Sequence, residues 1–80
     1  MRIDKFLKNA RIIKRRTIAK EACENGRISI NGKEAKPGSE VAINDEIEIR
    51  FGDKTMKIAV ERLSEHVSKD SSTEMYRILQ

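Results

Sequence analysis

At Asn25-Gly26 the apolar residues of this 80-residue chain change their spacing, from about every 3.6 positions before the pair to about every 2 after it. A helical half followed by a strand half leaves few compact arrangements, because each apolar stripe has to be covered and the two can cover each other. Ile3, Phe6, Leu7 and Ala10 stand at i, i+3, i+4 and i+7, one stripe of a first helix that carries Arg2, Lys5 and Lys8 on its other side. Ile18, Ala19, Ala22 and Cys23 make the stripe of a second helix. Its start falls at Arg15 to Thr17, where Thr17 offers a hydroxyl cap but Lys20 takes the place of the acid in a capping box. Its end falls near Asn25, since Gly26 can adopt the positive φ that closes a helix.

Beyond Gly26, residues 27–30 alternate, Asn31-Gly32 is a strong hairpin-turn pair, and Lys33 to Lys36 return antiparallel until Pro37-Gly38 breaks the strand. Val41 and Ile43 alternate weakly. Asn44-Asp45 then turns into residues 46–51, the clearest strand, with Ile47, Ile49 and Phe51 as its inward face. Gly52-Asp53 turns into residues 55–60, where Met56, Ile58 and Val60 share one side, and a helical turn or coil continues through Leu63. Residues 69–72 have the composition of a polar linker, and Met75, Tyr76, Ile78 and Leu79 form an apolar tail expected to fold back on the sheet as a helical turn. The expected fold class is α+β: two N-terminal helices packed on a small, mainly antiparallel β-sheet, with a short C-terminal helical tail. Residues 1–64 form the domain, and residues 65–80 the linker and tail.

Charge is divided along the same line. Eleven of the 17 Lys/Arg residues lie in the first 36 positions against four acids, a local net charge of +7, while the other 44 positions carry six bases and nine acids, or −3. Between Arg2 and Lys20 eight bases face a single acid, Asp4. A fold with this dipole offers one positive face to a polyanion, and nucleic acid is the expected partner. The chain has no Trp, two Phe and one Tyr, too few rings to read single strands by stacking. A-form RNA, which presents phosphates and 2′-hydroxyls rather than base edges, suits a rigid basic face better.

The candidate contact residues follow from where helix starts fall. Arg2 leads the first helix, and Arg15, Arg16 and Thr17 open the second, where free N–H groups and the positive end of the dipole favour a phosphate. Arg2 and Arg16 are the positioned contacts, because the guanidinium fork grips a phosphate through two donors. Lys5, Lys8, Lys14 and Lys20 supply field, and Arg11 and Arg27 complete the set. Asp4 is expected to cap the first helix or to orient a neighbouring Arg. Asn31-Gly32 is turn chemistry before it is a contact, Cys23 a core residue, His66 a surface residue, and Tyr76 an anchor for the tail.

Several classes are disfavoured. A chain this short has little core and no room for a deep cleft, and it shows no Ser/His/Asp set and no metal-ligand cluster, so an enzyme, a metal and a cofactor are not expected. A DNA-reading second helix would not turn Glu21 and Glu24 outward, and a membrane-surface helix would need more aromatic residues than Phe6. One cysteine and no apolar run of signal or spanning length lead to the cytoplasm as the expected compartment.

Arg2-x-Asp4-x-x-Leu7, Arg16-Thr17-x-Ala19, Gly26-Arg27-Ile28-x-Ile30-Asn31-Gly32 and Asp45-x-Ile47 together resemble the S-four domain, the RNA-binding module named after small-subunit ribosomal protein four. The resemblance covers residues 1–51 and implies the S-four-like αL RNA-binding fold. Two positions depart from the pattern: Asn44 stands where Gly usually precedes Asp, and Arg15 where a hydroxyl cap is common. With so little outside the domain, the chain is similar to the stand-alone members of the family, and more distantly to the fifteen-kilodalton heat-shock protein. That similarity implies a monomeric factor on large ribosomal subunits obstructed by peptidyl-tRNA. It would touch 23S rRNA and tRNA there and assist an RqcH-type factor in adding C-terminal alanine tails. The broader alternative is a general structured-RNA module of ribosome assembly or the heat-shock response.

Overall fold

A computed structural model describes residues 1–64 and 72–79. The first helix, α1, spans Ile3–Asn9, and the second, α2, spans Arg16–Glu24. Five strands follow: β1 Ile28–Ile30, β2 Lys33–Glu34, β3 Glu46–Phe51, β4 Lys54–Val60 and β5 Tyr76–Ile78. They form one antiparallel sheet in the order β2-β1-β3-β4-β5. Helices cover one face only, which is the two-layer arrangement expected when one stripe of each helix and one face of each strand are apolar.

The register explains which residues meet. Ile47 pairs with Ile30 on one side and Ile58 on the other, and Ile49 pairs with Ile28 and Met56. Ile28, Ile47, Ile49, Ile58 and Val60 are buried beneath Ile3, Phe6, Leu7, Ala10, Ala19 and Cys23. Each fully buried aliphatic or aromatic side chain of this kind contributes about 1.5–3 kcal/mol of transfer free energy. The hairpin turn has Asn31 at φ 52° and Gly32 at φ 83°, the double positive φ that a primed turn requires.

Four expectations need correction. Phe51 is 44% exposed rather than inward, because β1 pairs with β3 only as far as Ile49 and Phe51 sits opposite Lys54 at the hairpin end, past the helical layer. The returning strand stops at Glu34, although Ala35 still donates to the Ile28 carbonyl. Val41 and Ile43 are not a strand: Val41 is buried and Ile43 exposed, in a segment turned by Asp45, whose carboxylate accepts from the Ala42 N–H. The tail is not helical throughout. A 3-10 turn over Ser72–Met75 leads into β5, where Tyr76, Arg77 and Ile78 pair with Val60, Ala59 and Ile58. An open edge of β4 offers unpaired backbone groups, and a three-residue strand is too short for its own pattern to show which period it follows. Met75 is buried and Tyr76 half-buried, so the tail is anchored on the core side. Residues 69–71 of the expected polar linker and His66 lie outside the described residues, and Ser72 opens the 3-10 turn.

Candidate nucleic-acid interface

Residues 1–3 run along residues 39–41: the Ile3 N–H donates to the Ser39 carbonyl, the Val41 N–H donates to the Met1 carbonyl, and Arg2 bridges to Glu40. The backbone of Arg2 is thereby held on both sides in extended conformation before α1 begins. Asp4, on the first turn of α1, is only 2% exposed. One of its oxygens accepts from the Lys5 N–H at 2.8 Å and the other from Arg2 Nη2 at 3.2 Å. Arg16 lies side-on to the same carboxylate, with Nη2 at 3.4 Å from Oδ1 and Nε at 3.4 Å from Oδ2. Arg2 and Arg16 keep 48% and 47% of their side-chain surface exposed. Each guanidinium therefore has one edge committed to Asp4 and other donors left for a ligand.

Arg2, Asp4, Arg16, Thr17 and Lys20 line one shallow hollow. At its rim α2 opens without a side-chain cap on Arg15, and the Ile18 and Ala19 N–H groups both donate to the Arg15 carbonyl. The amides of Arg16 and Thr17 precede those bonds, and no acid lies in the first turn to offset the positive end of the helix. Arg15 is the departure noted at the cap position, and its side chain makes no capping hydrogen bond to this end of the helix.

The remaining candidates do not join the hollow. Lys8, Arg11 and Lys14 line a second one with Asn9 at the far end of α1. Arg27 lines a third with Asn25, Arg50 and Gly52. Lys5 is half-buried beside Asp4, and Arg15 is exposed at the start of α2. Arg50 was not among the residues singled out from sequence. It donates to the Gly26 carbonyl at 3.0 Å, and its only signal was a base at an outward position of β3. Glu21 and Glu24 are exposed on α2, as expected.

Asn31 and Asp45, both within the motif, serve the scaffold. Asn31 Nδ2 donates to Asp45 Oδ1 at 3.1 Å and Asn31 Oδ1 accepts from the Glu46 N–H at 2.9 Å, locking the hairpin to the start of β3. Asn44 replaces the usual Gly at φ 76°, a left-handed conformation that Asn tolerates better than most residues. Burial pushes the Cys23 thiol from about 9 up to about 11, with Asp4 and then Glu24 adding to the effect. It stays protonated near neutrality and is a poor nucleophile or ligand. Among the described residues no three His, Cys, Asp or Glu side chains are placed to hold a metal, and no helix is long and apolar enough to cross a membrane.

Two helices on one face of an antiparallel sheet, with two arginines converging at the helix starts, define a small basic binding module. Residues 1–47 match the S4 domain, and the chain belongs to that family. It is 56% identical to a Listeria innocua protein named RQC P-site tRNA stabilizing factor, over 99% of this chain and 86% of that one. The Bacillus subtilis protein of the same name is 51% identical, over 99% and 92%. Among solved structures, the trimeric Heat Shock Protein 15 of Vibrio cholerae superposes with a TM-score of 0.90 at 33% identity, covering 98% of this chain and 80% of that one.

Proposed function

We propose that the chain is a non-enzymatic, cytoplasmic RNA-binding factor of ribosome-associated quality control. It binds 23S rRNA and tRNA on large subunits obstructed by peptidyl-tRNA and supports an RqcH-type factor in C-terminal alanine tailing. The observation that carries the RNA-binding part is the convergence of Arg2 and Arg16 on one buried carboxylate beside the uncapped start of α2, a preorganised seat for backbone phosphate. The ribosomal part is supported by relatives at 51–56% identity whose name refers to stabilising P-site tRNA. A general structured-RNA role in ribosome assembly or the heat-shock response is the second reading, favoured by the similarity to Heat Shock Protein 15.

Sedimentation with purified subunits separates the two. The first reading expects co-sedimentation with large subunits carrying peptidyl-tRNA, and little with vacant large or small subunits. Equal recovery on vacant subunits or on unrelated structured RNA would favour the second.

A further inference from the structure

We propose that the hollow at the far end of α1, lined by Lys8, Asn9, Arg11 and Lys14, is a second phosphate site for RNA backbone, separate from the Arg2–Arg16 cradle. It rests on the RNA-binding reading above and assigns a second set of residues to it. Among the described residues, three cations and no acid line this hollow. The Arg2–Arg16 hollow differs in holding its own counter-ion, since both guanidinium groups there pair with Asp4. Among the described residues Lys8, Arg11 and Lys14 form no ion pair, so they repel one another until an anion enters.

The backbone supplies an independent observation. Arg11 has φ 58°, left-handed, where it closes α1: its N–H donates to the Lys8 carbonyl and the Ile12 N–H to the Leu7 carbonyl. Glycine is the relaxed residue for such a closure, and α2 is followed by one, Gly26 at φ 71°. A long cation at this position accepts backbone strain and directs its side chain into the hollow's wall. The negative end of the helix gives Lys8 a structural reason to be there, but Arg11 and Lys14 lie beyond the helix, where that effect fades within a turn. Asn9 Nδ2 donates to the Ser64 carbonyl at 3.0 Å and ties this corner to the chain after β4.

The two sites lie at opposite ends of α1. The seven residues of α1 at about 1.5 Å each set them about 10 Å apart along the helix. A single RNA element reaches both.

The test is fluorescence titration of a labelled RNA hairpin over a salt series, with thermal unfolding of each protein. It compares the unmodified chain, Arg11→Gly, Lys14→Ala, their combination, and Arg16→Ala. Arg11→Gly removes the charge while relaxing the backbone, so weaker binding cannot come from misfolding if its melting temperature is equal or higher. The double variant is expected to bind about ten-fold more weakly at physiological salt, with the log–log salt slope shallower by about 1.5. A double variant that titrates like the unmodified chain, while Arg16→Ala is weakened, overturns the second site and leaves the cradle standing. Failure of the unmodified chain to bind any hairpin overturns both.

Discussion

Arg2 and Arg16 come from opposite ends of a helix and its connection, and the carboxylate of Asp4 makes them neighbours. Asp4 is buried while both arginines stay half-exposed, so the pairing fixes the direction of the two guanidinium groups and leaves part of each open to a ligand. Fixing a rotamer-rich side chain before a ligand arrives removes about 0.5–1.5 kcal/mol of ordering cost on binding. Asp4→Asn is therefore a test of sign. It raises the net charge of the hollow by one, yet the expected outcome is RNA affinity lower by about three- to ten-fold, measured by titration alongside circular dichroism to confirm the fold. Tighter binding would mean that charge alone governs the site. From sequence Asp4 is expected either to cap the first helix or to orient a neighbouring Arg, and the structure shows the second. The sequence did not show that one carboxylate serves two arginines, since that depends on how residues 10–15 return the chain to the start of α1. The left-handed Arg11 was also hidden, because nothing in an Arg side chain announces positive φ as Gly26 does.

Elements were legible wherever an apolar period ran long enough to exclude its rival. Both helices, the Asn31-Gly32 hairpin and β3 lie where spacing and turn chemistry place them. The failures came at ends. Phe51 continues the alternation of β3 but outruns its neighbours, and β5 is a short segment whose partner strand, not its own pattern, decides its form. The change of period at Gly26 is the joint between the layers, and it rests on backbone geometry. A Cβ there would lie 3.0 Å from Glu34 Oε1, the end of a flexible side chain, so the principal cost of Gly26→Ala is an L-residue at φ 71°. Urea unfolding should show a loss of about 1–2 kcal/mol with RNA affinity of the folded fraction unchanged. An unaltered midpoint would mean that the joint tolerates another conformation.

At the scale of the whole molecule, the N-terminal bases collect around the two helices. The helical N-terminal portion carries the cradle and its neighbouring bases, while the outer side of the sheet presents Glu46 and Glu48 beside Lys57. Such a dipole steers encounter and sets orientation, and its contribution fades as salt rises. The account rests on the claim that Arg2 and Arg16, held together by Asp4, grip RNA phosphate as a unit. The most direct measurement is the affinity of the unmodified chain, Arg2→Ala, Arg16→Ala and the double variant for one structured RNA across a salt series. Each single change should cost about 1–3 kcal/mol and flatten the log–log salt slope by about one, and the double change should cost less than the sum of the two. Affinities and slopes equal to those of the unmodified chain, in variants that remain folded, would contradict it.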